Sequence, residues 1–285
     1  MDLGLSTSWN SFRLRSAKKL IFEIKSLGFS RIELSFNLAE SMVREIEAMV
    51  LARKIKVLSV HNFCPIPSGV KRRLALPDFY SLSSPDGTER RRAVVQTMQT
   101  IDTAGRLGAR AVVLHCGRVE VRDYTRDLIA LLLSQGRDSP HFKSLAEKAV
   151  TQRRQEAKRF FPQALKSLGK LERHAQKRNV SLGIETRFYY REIPTFEEIG
   201  EILKLFKGSR IFYWHDTGHA QLMEDLGFLR HKDFLEAYGG RLLGVHIHDI
   251  LRCRDHLAPL EGEIDFSILK PYLEKDTIKI IEAHQ

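Results

Sequence analysis

Cysteine is scarce in this chain: Cys64, Cys116 and Cys253 are its only three in 285 residues, odd in number and without a C-x-x-C pair. That argues against a disulfide framework and predicts reduced, buried packing thiols. No apolar run approaches the roughly 18 residues that a membrane-spanning helix needs, so no membrane partner is expected. The opening MDLGLSTSW has no basic stretch leading into an apolar one, and a cytosolic location is the resulting expectation. Proline is also sparse, and four of the nine fall between Pro65 and Pro85. That stretch has few apolar periods and predicts one long irregular loop on the active face, of the kind that inside a compact domain is usually functional or disordered.

The rest of the composition, 43% hydrophobic and 28% charged, is that of an ordinary globular protein. The formal charge of +11 is compatible with a nucleic-acid partner, because neutralising phosphates drives such binding. Its distribution weakens that reading: Arg90 to Arg92 and the basic residues between Lys148 and Arg159 sit on helical segments, where a solvated face accounts for them.

Short apolar runs alternate with helical patterns along the whole chain. Strands are predicted at LGLSTS, RIELSF, KVLSVH, RAVVLHC, VSLGIE, RIFYWHD, RLLGVHIHD and IKIIEAH. Twice a leucine-glycine pair, Leu27-Gly28 and Leu107-Gly108, closes a helix just before a buried strand, which is the grammar of repeated βα units. Alternation of this kind predicts an α/β fold, a single-domain (β/α)8 TIM barrel over residues 1–285, whose strand C-termini all open onto one face. The helix expected after the eighth strand is missing from the sequence, so that position is either uncovered or covered by a second copy in a homo-oligomer.

Nearly every strand ends in a group that can bind a metal or a proton: His61, His115, Glu185, Asp216, His246 and Glu282. Singly, such a histidine is more often structural. Jointly, two glutamates, an aspartate and a histidine converging on one buried point satisfy each other best through a divalent cation, since unpaired buried carboxylates are costly. Glu185, Asp216, His246 and Glu282 are therefore the predicted ligands, and their mixed oxygen and imidazole donors suit Mn²⁺, Co²⁺, Mg²⁺ or Zn²⁺. By contrast Glu33 is expected to pair with an arginine, and His141, His174 and His231 to be surface residues.

HDTGHA from His215 to Ala220, HIHD at His246 to Asp249 running on to DHLAPLEGEIDF, and the terminal IIEAH together resemble the xylose-isomerase-like barrels. That family groups sugar isomerases and epimerases, inosose dehydratase-like proteins and apurinic/apyrimidinic endonucleases of the endonuclease four type. The resemblance covers essentially the whole chain. It implies that the metal is held by the four residues just named, with Glu185 and Glu282 doubling as catalytic base and acid. It also implies substrate binding by His219, three residues after Asp216, and by Arg252, six after His246, with His61 and His115 lining the same pocket.

The endonuclease branch implies a further metal on His61, His115 and Glu185, and a third on His219, an aspartate and a histidine matched by His256. Here Arg254 stands where that aspartate should be, and a cation there repels a metal. Asp255 is adjacent, but on a regular strand it would face the other way. The function expected is thus a divalent-metal-dependent isomerase or epimerase acting on a sugar, sugar phosphate or polyol next to a carbonyl. A DNA phosphodiesterase is the alternative.

Overall fold

The structure, a computed structural model, describes residues 3–284. Eight parallel strands close into one barrel: β1 (Leu3–Ser6), β2 (Arg31–Leu34), β3 (Lys56–His61), β4 (Ala111–Leu114), β5 (Ser181–Glu185), β6 (Ile211–Asp216), β7 (Leu242–Ile247) and β10 (Ile278–Ile281). β10 returns to pair with both β1 and β7, which seals the ring. The strands are buried almost from end to end, as expected where side chains inside the barrel and helices outside cover both faces. The expected (β/α)8 barrel is therefore present, and no helix follows β10 among the described residues.

The helices ring the barrel: α1 (Ser8–Ser11), α2 (Ala17–Ser26), α3 (Glu40–Leu51), α4 (Gly87–Arg106), α5 (Thr125–Gln135), α6 (Pro140–Arg178), α7 (Phe196–Leu205), α8 (Thr217–Asp225) and α9 (His231–Tyr238). Their ends carry the signals read in the sequence. Gly28 and Gly108 adopt φ of 86° and 66° after α2 and α4, a left-handed conformation that only glycine takes without strain. The basic residues between Lys148 and Arg159, expected on a helical segment, lie in α6, a helix of 39 residues.

The barrel interior is plugged by Trp214 of β6, packed with Leu58, Val113 and Ile280. An indole of this size fits because glycines face it on both neighbouring strands. A Cβ at Gly183 would lie 2.8 Å from the ring, and one at Gly244 would collide with it outright. Above this plug the strand ends open into a cavity of about 970 Å³, at the upper end of the range for ligand pockets. The predicted loop from Pro65 to Pro85 is irregular, with one short turn at Arg72–Leu74, and its Leu76, Pro77 and Asp78 wall one side of this cleft.

Candidate metal centre and active site

Four strands deliver one ligand atom each to a single point. Glu185, Asp216, His246 and Glu282 are all buried, and their ligating atoms lie within 4.8 Å of one another. In-register pairing of β6 with β7 sets Asp216 beside His246, and β10 approaches from the other side. The centre of the cluster is His246 Nδ1, which is 2.6 Å from Glu185 Oε1, 2.9 Å from Glu282 Oε2 and 3.7 Å from Asp216 Oδ2.

Hydrogen bonds around the cluster decide what it can hold. His246 Nε2 lies 3.0 Å from Glu33, itself fully buried and bonded to the hydroxyls of Ser6 and Ser59. With the ring proton given to Glu33, the Nδ1 lone pair is turned toward three carboxylates. Asp216 uses only Oδ1, as acceptor from the His219 backbone N–H and from His248 Nε2, while its Oδ2 is buried without a hydrogen-bond partner. A lone pair and three carboxylates cannot share such a space without a positive charge among them. The donor set, three carboxylates and one imidazole, fits an intermediate divalent cation without thiolates. A second proton on His246 is the other way to supply the charge. Burial opposes protonation, yet Glu282 and Glu33 outweigh it and hold this imidazole well above its ordinary range.

Of the remaining predicted residues, His61, His115, His219 and His256 lie around this cluster. His61 and His115 rest edge to face, and their rings meet Glu185 Oε2 at 3.8 and 2.7 Å. Burial raises the carboxyl of Glu185, but the His115 charge and bonds from His115, His246 and His61 take it well below the usual range. His219 Nδ1 donates to the Thr186 carbonyl at 2.9 Å, leaving Nε2 for the cleft, 4.0 Å from Asp255. His256 lines the same cleft.

Arg252 is not brought to the cluster. It sits exposed at the turn between β8 (Asp249–Leu251) and β9 (Arg254–Leu257), an antiparallel hairpin outside the barrel, with φ of 49°. That hairpin also reverses the reading of its neighbours. Arg254 is exposed, whereas Asp255 lines the cleft and accepts from His256 Nδ1 at 2.8 Å. The left-handed turns at Arg252, Cys253 and His256 break the alternation on which the opposite placement was argued.

Two further expectations are corrected. Glu33 pairs with His246 and not with an arginine, and His231 is buried, bonded through Nε2 to His215 at 2.9 Å. Sequence reasoning also passed over Arg187. Its guanidinium is buried, donating to Glu185 Oε2 at 2.7 Å and to Glu192 Oε1 at 3.1 Å. Burial opposes its charge, but Glu192 and Glu185 hold it protonated. The only available signal was its position two residues beyond a strand-ending glutamate.

This geometry sits in a barrel whose ancestry is plain. Residues 21–282 match the family described as xylose isomerase-like TIM barrel, and the chain belongs to that family. An uncharacterized protein of Sinorhizobium fredii, y4fM, is 26% identical over 182 residues, covering 64% of this chain and 48% of its own length. The chain thus spans about half the length of that curated relative. Among solved structures it resembles 3-keto-D-glucoside 4-epimerase of E. coli at 14% identity, with TM-score 0.69 over 100% of this chain and 93% of that one. D-psicose 3-epimerase of Clostridium cellulolyticum gives 15% identity and TM-score 0.67 over 99% and 85%. A putative xylose isomerase of Rhodospirillum rubrum gives 15% and 0.70 over 100% and 91%. At these identities the likeness is one of fold. Among the described residues no helix is long and apolar enough to cross a membrane.

Proposed function

We propose that this protein is a divalent-metal-dependent isomerase or epimerase acting on a sugar, sugar phosphate or related polyol. The observation that carries the reading is His246 Nδ1 facing Glu185, Glu282 and Asp216 at the bottom of a 970 Å³ cleft. The naming of structural neighbours as sugar epimerases supports it. Glu185, Asp216, His246 and Glu282 would hold Mn²⁺, Co²⁺, Mg²⁺ or Zn²⁺, which when bound supplies Lewis-acid polarisation of a substrate carbonyl.

The chain's own residues do the rest. Glu185 removes the proton from the carbon next to the carbonyl, and Glu282 returns one, the two carboxylates approaching that carbon from different strands. His219 Nε2, freed by the Nδ1 bond to Thr186, presents a polar group to the substrate hydroxyls. Arg187 and His115 fix the Glu185 carboxylate so that it meets the carbon in one orientation.

A metal-dependent phosphodiesterase acting on abasic DNA is the second reading. It is favoured by the two groups flanking the quartet, His61–His115–Glu185 on one side and His219 with His256 and Asp255 on the other. One experiment separates the two. In Mn²⁺-loaded protein supplied with a panel of ketoses, deuterium from solvent should enter the substrate carbon, and Glu185→Gln should abolish that exchange, an amide being no base. Cleavage of an abasic duplex by protein that leaves every ketose and polyol unchanged would establish the nuclease instead.

A further inference from the structure

A second cavity, about 290 Å³, lies behind the wall of the metal cleft. Much of its lining is aromatic and aliphatic: Tyr190 and Phe228 stack at 4.2 Å, Phe196 and Phe234 meet edge to face at 5.4 Å, and Val150 and Leu229 lie beside them, while Thr195 and Glu197 add polar edges. The two cavities share Arg187, Tyr189 and Glu192 as a common wall. Arg187 is 6% exposed; two of its nitrogens are spent on Glu185 and Glu192, and its Nε is buried with no hydrogen-bond partner.

The cavity is also preformed. Arg153 of α6 holds the Tyr190 and Glu192 carbonyls and forks onto Glu198 at 2.9 and 2.7 Å, which fixes the loop that forms the wall. A void of roughly 150 Å³ already holds benzene when lined by apolar side chains. This one is about twice that size and adds a charged donor in need of an acceptor, which is costly to leave unpaired.

We propose that this cavity is a binding site for a small planar aromatic carrying an anionic acceptor, an arene carboxylate. The ring lies among Tyr190, Phe196 and Phe228, and the carboxylate accepts from Arg187. No assigned step of the sugar chemistry uses the apolar part of this space, and Arg187 serves both sites, through different nitrogens.

The test is ¹⁹F NMR titration of the metal-loaded protein with 4-fluorobenzoate. Saturable millimolar or tighter binding is expected. 4-Fluorotoluene, which lacks the acceptor, should bind at least about tenfold more weakly, the loss expected for a hydrogen bond to a charged group. Val150→Trp, which fills the cavity from α6, should abolish binding while leaving metal content unchanged. Phe228→Ala, which removes one face of the stack, should weaken it about fivefold and serves if the tryptophan variant does not fold. Absence of saturable binding, equal binding of the toluene, or binding unaffected by whichever of the two variants folds would overturn the proposal.

Discussion

Glu33 on β2 and His246 on β7 are joined across the barrel floor, His246 Nε2 lying 3.0 Å from a Glu33 oxygen with both side chains fully buried. The bond leaves Nδ1 facing the carboxylate cluster, so Glu33 orients the imidazole of the proposed metal site from behind.

The first expected outcome follows from that bond. Glu33→Gln should lower Mn²⁺ affinity by ~10–100-fold, the usual consequence of removing a ligand's outer partner. Isothermal titration of wild type and variant measures it, and equal affinities would show that the tautomer is set elsewhere.

Gly218 faces the same problem sterically. A Cβ there would collide with the His248 ring, which bonds Asp216 Oδ1 at 2.8 Å and is stacked on His256 at 4.3 Å. Gly218→Ala should therefore cost at least about tenfold in metal affinity, through a displaced Asp216. A variant that binds metal normally would mean that His248 has room to turn.

Arg153 and Glu198 form a buried bidentate pair, at 5% and 7% exposure. Removing the cation alone leaves a buried carboxylate uncompensated, so Arg153→Ala should destabilise the fold by ~3–5 kcal/mol in urea unfolding. The double variant Arg153→Met with Glu198→Leu should recover much of that loss, and a failure to recover would assign the effect to packing.

Stability should also depend on pH through His231. Burial, only partly opposed by Asp216, pushes this imidazole down to about 4 in the folded state. Unfolded, it titrates near its ordinary value of about 6.5, so below that pH the unfolded chain takes up a proton that the folded chain refuses. The stability it confers is present above about 6.5 and falls by up to about 3 kcal/mol as pH drops toward 4. His231→Gln should flatten the urea midpoint over this window, and an unchanged slope would place the titration on another group.

Arg252 supplies the control. Exposed on its hairpin, it should tolerate Arg252→Ala with kcat/KM changed by no more than about twofold and Tm nearly unchanged, as for most surface substitutions. A tenfold fall in kcat/KM would bring this side chain back to the substrate.

The residues legible in the sequence are those that end strands. A buried strand reads as an apolar run, and a charged group at its end is conspicuous, which is how Glu185, Asp216, His246 and Glu282 stood out. Glu33 was misread because it sits inside the alternating run RIELSF and does not end it, and Ser6 and Ser59, its partners, lie on other strands. Arg187, Asp255 and Glu192 lie beyond strand ends, in loop or hairpin segments where no period relates position to direction. Arg252 was misplaced for the same reason: counting six residues from His246 presumes a path that the left-handed turns of the hairpin do not follow. His231 begins the mixed helix HKDFLEAY, and tertiary packing against His215 buries it.

Trp214 stoppers the barrel directly beneath the cluster, its ring 5.1 Å from that of His246. The pocket above it is therefore a cul-de-sac. A small molecule must enter and leave by the same doorway, and one too bulky to pass that mouth cannot approach by a back route.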